Sequence, residues 1–308
     1  MKDKIDTEIV AGIEYIKPRV FKFQDTGIGV PEFAARTCYD SFHLSENDSV
    51  KELNNIMKNC NPTDLSLSAS NAIKKIHDIE KSDLLDDLAW TYFHHSILEH
   101  AVLSYYITDI GRGVLQELAR HRIASYSVRS TRYTMTDVIY AFFASYSSDD
   151  NTWKNNFILL MRELDLFIFV DIIMIDIEIE AIYKKLSFQL NNVGGIKTFS
   201  KLLLAKNNLN FFIDSLNQEI DIFEKVKIFK SNKAKKNSGD VVKHIVTDNW
   251  KVDLMLTINI RSLKNLLNLR DSGAAWFQAR WLAKSIKKAT PKKYLLLIDK
   301  KTKETEAI

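Results

Sequence analysis

The stretch SILEHAVLSYYITDIGRGVLQELAR, residues 96–120, predicts a β-strand followed by an α-helix. Alternate positions hold Leu103, Tyr105 and Ile107, which predicts a strand over residues 96–108. The helix is predicted over residues 111–120, because four small or apolar side chains fall on one helical face: Val114, Leu115, Leu118 and Ala119. The chain then continues from the C-terminal end of that helix into a predicted loop or strand.

Patterns on either side of this stretch predict further helices. The N-terminal part, through PEFAARTCYDSF (31–42), is typical of a short strand followed by a helix, and residues 43–86 of helices joined by loops. In residues 254–286, Asn259 is a candidate cap for a helix from 260 to about 269. The sequence RDSG then breaks the pattern, and Asp271 or Ser272 is predicted to cap a second helix.

Two segments within residues 145–240 each have two possible interpretations. Seven charged side chains interrupt the apolar run at 157–183, and each would cost roughly 2.5–3.5 kcal/mol at the centre of a bilayer, so we predict no membrane-spanning helix. The lysine-rich segment 224–240 is predicted to be a solvated connection rather than a phosphate site, because nothing in its sequence predicts rigid surroundings.

Composition limits the classes of protein that the sequence can encode. The 308 residues are 46% hydrophobic, enough for a substantial core. Lys and Arg number 43 against 39 Asp and Glu, and this net charge of +4 is too small for a generally basic nucleic-acid binder. Cys38 and Cys60 lack metal-ligand spacing and favour a reducing compartment. With no apolar run of signal-peptide length at the N-terminus, we predict a cytoplasmic protein.

The stretch QELARHRIASYSVRSTRYT, residues 116–134, concentrates positive charge among hydroxyl side chains. Two unit charges about 4 Å apart repel by about 4 kcal/mol at an effective dielectric near 20, so clustering them without partners is costly. The dipole of the preceding helix accounts for Arg120 and Arg122, but not for Arg129 and Arg132. Guanidinium groups bind phosphate through paired hydrogen bonds, and hydroxyls complete such sites. We therefore predict an anion-binding site.

Two other clusters carry weaker signals. Arg261 and Asn265 lie four residues apart in NIRSLKNLLNLR, on one face of the predicted helix, and Arg270 adjoins the break where its side chain could enter a pocket. The histidine-rich FHHSILEH (93–100) lacks the HExxH pattern and a completing carboxylate cluster, so we predict no metal site. Motifs of serine hydrolases, P-loop proteins and Rossmann folds are absent from the sequence.

The sequence RHRIASYSVRS, with Arg-His-Arg followed after seven residues by Ser130, resembles the signature of the flavin-dependent thymidylate synthases. The resemblance extends to HHSILEH upstream, to STRYT, to TINIRSLKNLLNLR downstream and to AARTCYDS near the N-terminus, and covers about half the chain. It implies a single α+β domain over 1–308, with a mixed β-sheet flanked by long α-helices. The helical insertion 145–240 and the segment 43–86 are predicted to be variable additions.

The resemblance also implies an activity. Members of the family methylate dUMP to dTMP, taking the carbon from 5,10-methylenetetrahydrofolate and the hydride from FAD reduced by NADPH. The uracil is activated electrostatically, without a cysteine nucleophile, which suits a chain whose cysteines lie outside every ligand-like cluster of the sequence. The family's homotetramer, with active sites shared among subunits, implies a homotetramer here.

Site residues follow from the resemblance position by position. Arg270 is the predicted catalytic residue, since it matches the arginine that favours ionised N3 of the uracil. The predicted FAD-binding residues are His94, Ser96, Arg120, His121, Arg122, Asn259, Arg261 and Asn265. The predicted dUMP-binding residues are Glu117, Arg120, Arg129, Ser130, Thr131, Arg132, Lys243 and Arg270. Ser130 is assigned a hydrogen-bonding role, since the sequence provides no paired base to make it a nucleophile.

The chain departs from the family pattern at three places. Val128 replaces a Glu or Gln, and the turn RDSGAAW lacks a histidine found in some members. Lys243 replaces an arginine, so it keeps the positive charge but lacks the guanidinium group that binds an anion through two hydrogen bonds. Two alternatives therefore stay open: a member of the family that binds its ligands but has lost turnover, and a nucleic-acid-binding module that uses residues 120–134. The stretch contains few aromatic residues on which bases could stack, which argues against the nucleic-acid-binding alternative.

Overall fold

The computed structural model describes residues 5–59, 67–190, 221–231 and 243–306. The chain divides into two compact units. The first is built from the described parts of residues 1–17, 109–113 and 129–252, and the second from those of 18–108, 114–128 and 253–308. The prediction of a single domain with two variable additions stays a prediction.

Two sheets and a set of helices make up the described chain. The strands are β1 (Thr7–Val10), β2 (Ile13–Ile16), β3 (Arg19–Asp25), β4 (Val102–Gly111), β5 (Ala124–Val128) and β6 (Lys251–Asn259). The helices are α1 (Gly29–Cys38), α2 (Asp48–Asn59), α3 (Leu67–His77), α4 (Asp83–Trp90), α5 (Val114–Leu118), α6 (Thr131–Ala144), α7 (Asp150–Arg162), α8 (Ile172–Leu190), α9 (Ile222–Ser231), α10 (Ile260–Arg270), α11 (Phe277–Ala289), α12 (Lys292–Ile298) and α13 (Lys300–Glu306).

Strand β4 lies inside a four-stranded sheet with the order β3-β4-β6-β5. The pairs β3–β4 and β5–β6 are antiparallel, and β1–β2 is a separate antiparallel hairpin. Leu103, Tyr105 and Ile107 are fully buried, which confirms the predicted alternation along β4. The predicted start at residue 96 is wrong, because His95–His100 forms a 3₁₀ helix closed by a hydrogen bond from Ala101 N to Leu98 O.

The predicted helix over 111–120 is shorter than its pattern suggested, since α5 spans only Val114–Leu118. The backbone before it is engaged elsewhere: Arg112 N donates to Trp250 O at 2.8 Å. Val114 and Leu118 are buried as predicted, whereas Ala119 is exposed. The chain then enters β5, which confirms the predicted continuation, and the Tyr126 hydroxyl donates back to Leu118 O at 2.8 Å.

Helix α10 begins where the sequence predicts. The Asn259 side chain accepts a hydrogen bond from Ser262 N at 2.8 Å, which confirms the cap. The prediction that Asp271 or Ser272 caps the next helix is wrong, because α11 begins only at Phe277. Those two residues complete α10 instead: Asp271 N donates to Leu267 O, and the Ser272 hydroxyl donates to Leu269 O.

Helix α1 and the helices within 43–86 are confirmed for the described residues, although three strands rather than one precede α1. None of the described helices is long and apolar enough to cross a membrane. The predicted connection at 224–240 is wrong for its first part, because α9 packs against α6 and buries the side chain of Lys225. Residues 232–240 lie outside the described chain.

Candidate active site

A cleft of about 620 Å³ in the second unit collects positive side chains. Its walls come from the turn between α5 and β5, from the 3₁₀ helix at 95–100 and from α10. The lining residues are His95, Arg120, His121, Arg122, Ile123, Arg261, Ser262, Lys264, Asn265 and Asn268. The cleft therefore brings together five of the predicted FAD-binding residues: Arg120, His121, Arg122, Arg261 and Asn265.

A second cavity of about 550 Å³ adjoins this cleft, because both are lined by His95 and Arg261. Its other lining residues are Cys38, Tyr39, Leu88, Phe93, His94, Ser96 and Ile97. Predicted residues His94 and Ser96 lie here. Cys38, the last residue of α1, also lines this cavity, and Cys60 lies outside the described residues.

Arg270 is held by Glu117 and His121. Its Nη1 lies 2.5 Å from Glu117 Oε2, its Nη2 donates to Glu117 O at 3.2 Å, and its Nε donates to His121 Nε2 at 3.2 Å. Both members of the ion pair are largely buried, with side-chain exposures of 16% and 24%. Arg270 is the last residue of α10, and its side chain is directed at α5. Glu117 and Arg270, both predicted to bind the substrate, therefore pair with each other.

His121 carries an unused donor. Because its Nε2 accepts from Arg270, its proton in the neutral form lies on Nδ1. That nitrogen is buried and has no hydrogen-bond partner among the described residues. Burial, and then the positive charge of Arg270, lower the pKa of His121, so the imidazole is neutral near pH 7. A buried donor without a partner at the edge of a cleft favours a ligand that supplies an acceptor.

We expect His121→Gln to weaken the pH dependence of stability. The folded-state pKa of His121 is lowered, so the unfolded chain takes up a proton first as pH falls through about 6.5, and stability drops below that pH. Glutamine keeps an acceptor for Arg270 but does not titrate. Melting temperatures at pH 8 and pH 5.5 should therefore differ less for the variant than for the unmodified protein; equal differences would contradict this assignment of His121.

Ion pairs around the cleft offset part of its charge. Arg261 pairs with Glu99, and Arg120, whose side chain is 70% exposed, lies 3.6 Å from Glu117. Arg122 and Lys264 pair with none of the carboxylates in the described part of the chain. Within the described chain, the cleft consequently keeps at least two cations without acidic partners, which favours an anionic ligand.

Asn259 combines a structural role with its predicted ligand contact. Its side-chain oxygen caps α10, but Asn259 lines neither of the two cavities, so its contact with a ligand stays a prediction. We expect Asn259→Ala to lower the free energy of unfolding by about 1 kcal/mol, since a cap is lost. Asn259→Asp keeps the cap oxygen and should retain stability while removing the amide donor. Chemical unfolding measures the first effect and flavin titration the second; equal flavin affinity in Asn259→Asp would remove Asn259 from the ligand site.

The remaining predicted residues belong to the first unit. Ser130 precedes α6 and its hydroxyl makes no capping hydrogen bond; Thr131, the first residue of α6, is buried, and Arg132 follows it. Lys243 is exposed and lies in a short 3₁₀ helix that packs against α6. The assignment of these residues and of Arg129 to the nucleotide stays a prediction.

The sequence assigned no ligand role to five lining residues of the cleft: His95, Ile123, Ser262, Lys264 and Asn268. Helical spacing was a signal for two of them, because positions 264 and 268 share the face of α10 that carries Arg261 and Asn265. His95 had no such signal beyond its place in HHSILEH. Among the described residues, no group of three or more His, Cys, Asp and Glu side chains is arranged to hold a metal ion.

Residues 22–294 match the family model described as thymidylate synthase complementing protein, and the chain therefore belongs to this family. Relatives named flavin-dependent thymidylate synthase include that of Wolinella succinogenes, 27% identical over 274 residues and covering 89% of this chain and 94% of the relative. The relative from Helicobacter pylori strain J99 is 26% identical over 276 residues, covering 89% and 94%. The predicted family and the prediction of an enzyme are confirmed.

The fold agrees with this family. The crystal structure of thymidylate synthase X from Helicobacter pylori with FAD and dUMP matches with a TM-score of 0.52 at 23% sequence identity. The match covers 92% of this chain and 97% of that chain. The predicted α+β fold is confirmed, with helices and antiparallel strand pairs in one chain.

Proposed function

We propose that this enzyme converts dUMP to dTMP, with the carbon from 5,10-methylenetetrahydrofolate and the hydride from FAD reduced by NADPH. The observation that carries the proposal is the cationic cleft with Arg270 fixed beside it by Glu117 and His121. Family membership supports the reaction, and the side chains around the cleft support the kind of ligand. The predicted homotetramer and cytoplasmic location remain proposals from the sequence.

FAD suits the residues that line the two adjoining cavities. The cleft offers guanidinium groups, amides and the unused Nδ1 of His121, all of them suited to the phosphates and ring acceptors of a dinucleotide. The residues that would hold it are His94, Ser96, Arg120, His121, Arg122, Asn259, Arg261 and Asn265. When bound and reduced, FAD supplies the hydride of the reaction.

Arg270 is the proposed activating residue. Uracil becomes nucleophilic at C5 when its ring carries negative charge, and a fixed guanidinium stabilises that charge without reorganising during the reaction. Glu117 and His121 position Arg270 through three of its side-chain nitrogens. This route needs no thiolate, so Cys38 is assigned no nucleophilic role.

The nucleotide's phosphate and sugar are assigned to Glu117, Arg120, Arg129, Ser130, Thr131, Arg132 and Lys243. Ser130 has a hydroxyl that is not used as a helix cap, which supports a hydrogen-bonding role. Val128, at the end of β5, is partly exposed and presents no side-chain donor or acceptor, so its contribution is limited to the backbone.

A flavin absorbance spectrum of the purified protein, before and after addition of FAD, is the first test. The proposal expects a yellow protein whose NADPH oxidation and dTMP formation require both dUMP and methylenetetrahydrofolate. A protein that binds FAD and dUMP without turnover would instead be a binding-competent, inactive member of the family. A colourless protein that neither takes up FAD nor gains thermal stability with dUMP would contradict the proposed function.

A further inference from the structure

Lys264 lies on α10 at the wall of the cleft. Its Nζ is 4.5 Å from the centroid of the Trp90 ring and 3.2 Å from His95 Nε2. The Trp90 ring is itself fixed, because its Nε1 donates to Leu296 O at 2.8 Å. The aliphatic stem of Lys264 is therefore partly buried and its amine is confined to the wall of the cleft.

The amine of Lys264 is left with an unused donor. A protonated amine has three N–H groups, of which one is directed to the face of Trp90. His95 Nε2 can accept at most one hydrogen bond from Lys264. The same nitrogen lies 3.0 Å from Ala89 O, and when it donates to that oxygen it cannot accept from Lys264. Within the described chain no carboxylate pairs with Lys264, so at least one N–H remains for a ligand.

The charge around Lys264 matches a diphosphate. Among the cations of the cleft, Arg261 and Arg120 have acidic neighbours, whereas Arg122 and Lys264 have none in the described residues. Burial lowers the pKa of Lys264, which is the effect of holding a cation away from water without a counter-ion. A diphosphate carries about two negative charges close together, so it would compensate the charges of Arg122 and Lys264.

We propose that Lys264 is a phosphate-binding residue of the cleft and that its ligand is the diphosphate of the dinucleotide cofactor. This inference rests on the proposed function for the identity of the cofactor. Neither the Arg-His-Arg motif nor the other predicted contacts include this lysine, which Trp90 and His95 place at the cleft wall.

The test compares Lys264→Met with the unmodified enzyme. Methionine keeps the stem over Trp90 and removes the charge, so the fold should be retained. We expect the dissociation constant of FAD to rise about tenfold to a hundredfold, the effect of losing a charged hydrogen bond, and that of riboflavin, which lacks phosphate, to be unchanged. Lys264→Arg should recover most of the FAD affinity. The matched control is Lys284→Met, an exposed lysine of α11 outside both cavities, which should bind FAD normally.

Unchanged FAD affinity in Lys264→Met, or an equal loss of riboflavin and FAD affinity, would overturn the role of Lys264. Inorganic pyrophosphate provides a second probe that does not depend on the flavin. It should raise the melting temperature of the unmodified enzyme and do so less for Lys264→Met. If the enzyme binds no flavin, the proposed function fails, and the pyrophosphate measurement still decides Lys264: no stabilisation, or equal stabilisation of both proteins, would overturn it.

Discussion

Replacing Arg270 by alanine is expected to lower dTMP formation by roughly a hundredfold to a thousandfold while FAD stays bound. The expectation follows from the loss of a preorganised group that stabilises charge on the uracil, an effect of this size in other enzymes. Arg270→Lys keeps the charge but cannot reproduce the contacts to both Glu117 and His121, so it should recover only part of the activity. Single-turnover formation of dTMP, with flavin absorbance recorded in parallel, measures both properties.

A matched control is Arg280→Ala. Arg280 lies on α11 in the same unit, lines neither cavity and makes no ion pair with the described residues. The Arg280→Ala variant should therefore have unchanged turnover and unchanged flavin content. Turnover that survives in Arg270→Ala would show that the assignment of Arg270 is wrong. A simultaneous loss of FAD and of melting temperature would show that its pair with Glu117 mainly stabilises the fold.

Replacing Gly29 by alanine is expected to destabilise the protein by about 3 kcal/mol or more. A Cβ at this position would lie 2.1 Å from Ile76 O and 2.9 Å from the Ile76 carbonyl carbon, so the backbones of α1 and α3 would have to separate. Backbone atoms cannot yield as a flexible side chain does. The melting temperature should fall by roughly 4 °C or more, since an unfolding entropy of about 2.1 cal/mol/K per residue corresponds to about 1.5 °C for each kcal/mol in a chain of 308 residues.

Gly273→Ala serves as the matched control for this change. A Cβ at Gly273 would have no atom within 4 Å, so the same substitution should leave the melting temperature nearly unchanged. Equal effects at the two glycines would show that close approach between α1 and α3 is not what requires Gly29. Because α1 ends at Cys38 on the second cavity, flavin affinity should also fall in Gly29→Ala.

Local features of the fold could be predicted from the sequence. The Asn259 cap, the buried alternation of β4 and the continuation of α5 into β5 depend on hydrogen bonds and side-chain periods within a few residues. Predictions failed where distant backbone atoms competed. Residues 111–113 do not join α5, because Arg112 N donates to Trp250 O, and such a partner leaves no signal in local sequence.

The candidate site shows the same division. The Arg-His-Arg motif and the polar face of α10 named five of the ten residues that line the cleft, because family positions and helical spacing are properties of the sequence. The sequence did not show that Glu117 and His121 hold Arg270, more than 140 residues away along the chain. Nor did it show that Trp90 and His95 confine Lys264.

The sequence by itself determined which residue types are available for an anionic ligand, and where helices and strands can begin. Only the tertiary structure decided which of those residues meet, which donors remain unpaired and which charges lack a counter-ion. The physical reason is range: caps and periodic patterns act over one or two turns of chain, whereas burial and ion pairing depend on atoms brought together by packing. That packing also leaves His121 Nδ1 without a hydrogen-bond partner and the amine of Lys264 without a counter-ion among the described residues.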